Sequence, residues 1–185
     1  MPDAIELLKT RRSVKPREMS GPGPSPAELD TILTIGARVP DHGKLAPWRF
    51  VVMGPQSRTR LAAQLAALAE QKGLPPKAQA VLAKLTAAPL TVLVISSPTP
   101  NDKVPVWEQE LSAGAVCMNL EHAAGALGYS ASWITDWYSF DAEATALFGV
   151  RAGERIAGFI HMGTLAQPPL ERPRPDLSAI VTRLA

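Results

Sequence analysis

Apolar positions along this chain follow two rhythms, a helical one with contacts every three or four residues and short continuous runs of strand type. Asp3 followed by Glu6 predicts a capped short helix through Thr10, with Ile5 and Leu8 three residues apart. Ser25-Pro26-Ala27-Glu28 is a fuller start: a cap, a proline at the first helical position and a glutamate three residues after the cap. Leu29, Ile32, Leu33 and Gly36 continue that helix at the right spacing. Phe50 to Met53 reads as the first strand. Gly54-Pro55 then turns the chain, Ser57 is expected to cap, and Leu61, Leu65 and Leu68 make one apolar stripe. Gly73 to Pro76 interrupts the pattern, and residues 77–86 read as a further helix.

The second half is more apolar. Leu90 to Ile95 is a continuous β-branched run, which predicts a strand buried on both faces. Val106 to Leu127 is the longest helical pattern, about 33 Å at the ordinary rise. Its front turns carry Trp107, Glu108 and Glu110, the two acids being read as solvated carboxylates favoured at a helix start. Its body, Leu111 to Leu120, is apolar nearly all round and rich in small residues, so it is expected to be central and closely approached by other backbones. Gly128 fits the position just past its end. Ser130 to Thr135 is a third strand, with Ser130, Ser132 and Ile134 on one face and Ala131, Trp133 and Thr135 on the other. Asp141 caps a short helix ending at Gly149, and Ile156 to Met162 is the fourth strand, closed by Gly163. Gln167 to Pro175 is an extended cationic tail, and Ile180 to Leu184 is β-prone without a local partner. Helices interspersed with strands, no repeat and no linker predict one domain over residues 1–185, an α+β or α/β sandwich.

Composition narrows the class. Hydrophobic residues are 46% and charged residues 19%, which is globular usage, and a net charge of +2 gives no footprint for nucleic acid or a membrane surface. The 18 prolines cluster at 16–26, 75–76, 98–105 and 168–175 and mark those segments as loops. Cys117 is the single cysteine; set in an apolar helical pattern, it reads as a buried hydrophobe rather than a reactive thiol. The first residues carry acid where a secretory leader would be basic, and no long apolar span follows, so a soluble cytoplasmic protein is expected.

The chemistry-bearing residues sit in loops. His42, His122 and His161 are far apart, without a metal-binding spacing, and no nucleophile elbow or phosphate-binding GK[ST] loop is present. His122 on the long helix reads as a core histidine. What remains is cationic and aromatic. Arg11, Arg12, Ser13 and Lys15 form a local anion site, or else a helix end decorated with cations. The stretch from Arg38 to Phe50 holds two prolines, His42, Trp48 and four formal charges; it is a stiff loop, either the rim of a ligand site or a connection whose tryptophan plugs the core. Trp133 to Thr135 and the pair Arg172 and Arg174 complete the set. Separated guanidinium groups and rigid loops suit a phosphorylated, planar cofactor better than a metal.

In this order, Arg11-Arg12-Ser13 with Lys15, Arg38-Val-Pro-Asp-His42, Pro47-Trp-Arg-Phe50, Lys103-Val-Pro with Trp107-Glu-Gln-Glu110 and Ser112-Ala-Gly114, the strand tryptophan, and Gly158-Phe159 with Gly163-Thr164 resemble the FMN-dependent nitroreductase family, its short single-domain members above all. The likeness covers essentially the whole chain. It implies an α+β nitroreductase-like fold with a central mixed or antiparallel sheet flanked by helices, and a homodimer with a domain-swapped C-terminal strand and FMN at the subunit interface. It further implies that Arg11, Arg12, Ser13 and Lys15 contact FMN, that Arg38 and His42 reach it from the partner subunit, and that Trp133, Ile134 and Thr135 border its ring. Arg172 and Arg174 would reach the phosphate, and Ala123 to Gly128 corresponds to a segment associated with the nicotinamide cofactor. The implied activity is ping-pong: NADH or NADPH passes hydride to flavin N5, and a nitroaromatic, quinone or similar electron-poor small molecule then accepts electrons. The flavin carries the chemistry, so no catalytic side chain and no metal is expected. A flavin carrier or redox sensor of the same fold is the alternative. Ile134 departs from the basic or small polar residue common after the strand tryptophan, which bears on ring electrostatics.

Overall fold

In the computed structural model, which describes residues 3–100 and 103–184, four strands form one sheet. They are β1 (Trp48–Met53), β2 (Leu90–Ser96), β3 (Ser130–Ile134) and β4 (Arg155–Gly163), ordered β1-β2-β4-β3. Every pairing is antiparallel, so of the two sheet types the resemblance left open, the mixed one is set aside. The helices are α1 (Ala4–Thr10), α2 (Pro26–Gly36), α3 (Pro55–Gln71), α4 (Pro76–Ala80), α5 (Ala83–Ala87), α6 (Val106–Ala126), α7 (Ala142–Leu147) and α8 (Leu177–Ile180).

The β-branched run in β2 is buried on both faces as predicted, and alternation along it feeds two cores. Leu93 and Ile95, with Phe159 of β4, pack on the Leu61, Leu65 and Leu68 stripe of α3 and on Tyr138 and Phe148. Val92 and Val94, with Ile160 and Met162, pack on Ile32 of α2 and on Val116, Cys117 and Leu120 of α6. The small residues permit close approach: a Cβ at Gly36 would overlap the Leu120 side chain. Cys117 is fully buried, which pushes its thiol up to about 12 and keeps it inert.

Several boundaries move for physical reasons. Gly54, not Ser57, is the cap of α3; Pro55 starts the helix because it has no N–H to lose, and the Ser57 hydroxyl donates back to the Gly54 carbonyl at 2.9 Å. Trp48 and Arg49 extend β1 by pairing with Ser96 and Ile95. The predicted helix at 77–86 is two short helices, and the turn at Val81 and Leu82 lets both Leu82 and Leu85 reach the core. The expected strand at Ile180–Leu184 is absent within this chain. Asp176 accepts from the Ser178 amide at 3.0 Å and caps the single turn α8, while 181–184 are exposed without regular structure. β-propensity needs a ladder partner to act on, and none of the strands among the described residues supplies one there. Among the described residues no helix is long and apolar enough to cross a membrane.

Candidate functional site

The outer edge of β3 gathers most of the predicted residues. The segment after α1 runs extended, with Val14 and Met19 packed against Ala88 and Leu165 and Pro16 also buried, while Ser13 and Lys15 are exposed. Backbone bonds between Ser20 and Thr164, 2.8 and 3.0 Å, fasten this arm to the end of β4. Ser13, Lys15 and Arg17 of the arm, Trp133 and Ile134 of β3, and Arg172 of the tail line one cleft of about 780 Å³. Ala80, Val81, Ala83 and Lys84 from α4, the following turn and α5 form a further wall. Cations thus meet an aromatic and aliphatic wall in one open cleft, a donor set suited to a phosphorylated, planar molecule.

Trp133 is fixed by its neighbours. Its indole Nε1 donates to the Ala157 carbonyl at 2.9 Å, and the ring covers Gly158 on one side and meets Gly114 of α6 on the other. It is still 36% exposed, so a face remains open.

The remaining arm and tail cations are engaged with protein. Arg12 donates through Nε to the Leu170 carbonyl at 2.8 Å, and Arg174 donates to the Arg11 carbonyl at 3.0 Å, so arm and tail hold each other. Arg11 turns inward. Its Nη2 donates to Ser13 Oγ at 2.9 Å and to Glu121 Oε2 at 3.2 Å. Glu121, 4% exposed in its side chain, also accepts from the Trp133 amide at 3.1 Å and from Ser13 Oγ at 3.4 Å. Burial pushes this carboxyl above its ordinary range, opposed by the Arg11 charge and the two hydrogen bonds. His122, half-buried beside it, is pushed down by burial and then by the Arg11 charge.

Three predicted residues lie elsewhere in the same chain. His42 lines a second cleft of about 310 Å³, with Pro40, Pro47, Gln109 and Ser112, and its Nδ1 sits 2.8 Å from Glu108 Oε2. Glu108 is a helix-start acid, its side chain 40% exposed, that also lines this cleft, while Glu110 lies 3.6 Å from Arg155. The loop here is anchored on α6: the Ser112 hydroxyl donates to the Pro40 carbonyl at 2.6 Å, and Asn119 donates to the carbonyls of Ile35 and Arg38. Asp41 accepts from the Leu45 and Ala46 amides at 3.1 and 2.9 Å and holds a turn in which Gly43, Lys44 and Ala46 all have positive φ. Arg38 itself is exposed and lines neither cleft. Thr135 belongs to a third concavity with Trp137 and Phe140.

Sequence reasoning missed Glu121 and Lys84. Glu121 left a signal, a carboxylate inside a helix with almost no polar face, which demands a buried partner. Lys84, paired with Asp136 at 2.8 Å, left none, because its place on the cleft depends on the break between α4 and α5.

The family model described as the nitroreductase family matches residues 8–164. A protein of Escherichia coli (strain K12), provisionally named NAD(P)H nitroreductase YdjA, is 37% identical over 167 residues, 88% of each chain. In fold, the chain is similar to a nitroreductase-like family protein from Bacillus cereus, with a TM-score of 0.85 at 19% identity over 100% of this chain and 97% of that one. A nitroreductase with bound FMN from Bacteroides fragilis NCTC 9343 superposes with a TM-score of 0.76 at 21% identity over the whole of both chains. At these identities the solved structures speak for the fold alone.

Proposed function

Since the chain belongs to the nitroreductase family, we propose that it is an FMN-dependent oxidoreductase, using NADH or NADPH to reduce nitroaromatics, quinones or similar electron-poor small molecules. The observation that carries the reading is the cleft at the β3 edge, where Lys15, Arg17 and Arg172 stand over a wall that includes Trp133 and Ile134. When bound there, FMN supplies the redox chemistry, accepting hydride from the nicotinamide donor and passing electrons to the acceptor in a ping-pong sequence. The chain's own residues bind and orient. Ser13, Lys15 and Arg172 hold anionic oxygen, Trp133 and Ile134 border the ring, and Thr135 follows directly after that strand. Arg11, Arg12 and Arg174 set the arm and tail from which those contacts are made. No protein side chain is assigned an acid or base role.

Arg38 and His42 complete the site from a second copy of the chain, with which this one forms a homodimer. The support is apolar surface left exposed here: Val106, Trp107 and Leu111 on α6, Ile5 and Leu8 on α1, and Leu177, Ile180 and Leu184 in the tail. In that dimer the tail beyond α8 pairs with the partner's structure, and the protein works in the cytoplasm. The test is an absorption spectrum of the purified protein, repeated anaerobically after NADH and then NADPH. Flavin bands bleached by one of the donors, and restored by an electron-poor acceptor, are expected. A colourless protein that gains no flavin spectrum with FMN overturns the reading, and a yellow one inert to both donors makes it a carrier.

A further inference from the structure

Arg11, Ser13 and Glu121 close a hydrogen-bonded ring. One Arg11 Nη2 proton goes to Ser13 Oγ and the other to Glu121 Oε2, while the single Ser13 hydroxyl proton is directed to Glu121 Oε1. Oε1 also accepts from the Trp133 amide, which lies on the open edge of β3. One buried carboxylate on α6 therefore joins the cationic arm to the strand that walls the cleft.

Resting on the FMN reading above, we propose that Glu121 is a positioning residue for the cofactor, acting through Arg11. It holds the guanidinium through Nη2, so that Nε and Nη1, which make no hydrogen bond with the described residues, are left for a ligand at the arm. It also sets the spacing between Ser13 and the Trp133 backbone. The electrostatics run against a simpler role: a carboxylate near an anion site repels the anion, so orientation must outweigh repulsion for Glu121 to favour binding. This makes the proposal easy to overturn, because mere competition for Arg11 predicts the opposite sign.

Glu121→Gln separates the two. Glutamine fills the same space and keeps an oxygen for the Trp133 amide, but sets an NH2 group against the Arg11 donors. FMN dissociation constants are measured by quenching of flavin fluorescence for wild type, E121Q, R11A and the double variant, with thermal unfolding as the check on folding. Wild type binds FMN, E121Q binds about tenfold more weakly, the size expected for a lost charge-assisted hydrogen bond, and E121Q adds nothing further in the R11A background. Unchanged or tighter binding by E121Q overturns the proposal, as does an equal loss in the R11A background. A wild type that does not bind FMN removes the cofactor reading itself. Should E121Q not fold, Glu121→Asp is read the same way, since it keeps the charge but falls one methylene short of spanning Arg11 and β3. Failure of both to fold makes Glu121 a structural residue and ends the proposal.

Discussion

The indole of Trp133 occupies the space that any side chain at Gly158 would need. Gly158 lies two residues along β4 from Ile160, the register partner of Trp133, and a Cβ at 158 would collide with the pyrrole edge of the ring while Nε1 holds the neighbouring Ala157 carbonyl at 2.9 Å. Glycine in mid-strand therefore has a definite purpose, the close approach of a ring, and its φ is not in the left-handed region. Gly158→Ala should swing the indole off its seat at a cost of about 1–3 kcal/mol, in the range of overpacked sites. The measurement is tryptophan emission compared with Trp133→Phe: the component missing from Trp133→Phe should shift to the red in G158A. Unmoved emission would mean that the ring tolerates the methyl.

Arg49 and Glu154 form a two-point ion pair. Nε and Nη2 of Arg49 reach the two carboxylate oxygens at 2.8 and 2.6 Å, and Ser97 Oγ and the Arg151 amide add donors. The Arg49 hydrogen bond is the largest cause holding Glu154 down to about 2 from its usual 4.5. A depressed carboxyl stabilises the native state fully above its unfolded value, so this contribution is present above pH 4.5 and lost as pH falls toward 2. Its size is about 3 kcal/mol. Glu154→Gln should remove that part of the acid dependence, so wild type and variant converge in urea midpoint at pH 2.5 and separate at pH 6. Equal separation at both pH values would show that packing, not charge, is what the variant loses.

Much of the fold was legible because its signals are local. The capping box at Ser25 and Glu28, the β-branched run of β2 and the apolar body of α6 each declare themselves within a few residues, and each formed. Ser13, Lys15, Trp133, Ile134 and Arg172, far apart in sequence, line one cleft. What did not show in the sequence is long-range. Arg11 reads as a free cation until the fold sets it against Glu121, 110 residues away, and Ile180–Leu184, β-prone without a local partner, forms no strand among the described residues of one chain. Arg38 and His42 stand apart from that cleft within this chain, His42 lining a second one and Arg38 exposed, a placement that periodicity does not reveal.

His161 gives the second pH signature. It is fully buried in β4, its Nδ1 2.8 Å from Thr91 Oγ1 and its Nε2 without a partner. Burial first, then the charges of Arg58 and Lys84, push it down to about 3 from 6.5. The unfolded chain takes up a proton that the native one refuses, so stability is present above pH 6.5 and lost as pH falls toward 3. The slope is about 1.4 kcal/mol per pH unit. His161→Phe should flatten the stability profile between pH 6 and 4 while costing about 1 kcal/mol at pH 7 for the Thr91 hydroxyl left without its partner. A variant profile parallel to wild type would place the proton uptake on another group.

Trp48 and Arg38 sit at opposite ends of the loop and should fail in opposite ways. Trp48 is half-buried and packs into the core on the α6 side of the sheet, so Trp48→Ala should cost about 2–4 kcal/mol and leave the flavin spectrum of the folded fraction unchanged. Arg38 is exposed, so Arg38→Ala should shift stability by no more than about 0.5 kcal/mol yet weaken FMN binding. That pairing makes sense only if Arg38 acts on the cleft of a second copy, which mixing variants can test. Co-expressed R38A and K15A chains would form mixed dimers in which one site takes its arm from the R38A chain and its loop from the K15A chain, both intact. One tight FMN site per mixed dimer, of mass twice 19.7 kDa, is the expected titration. Two equally weakened sites would place arm and loop of each site in the same chain, and a mass of one chain would remove the dimer altogether.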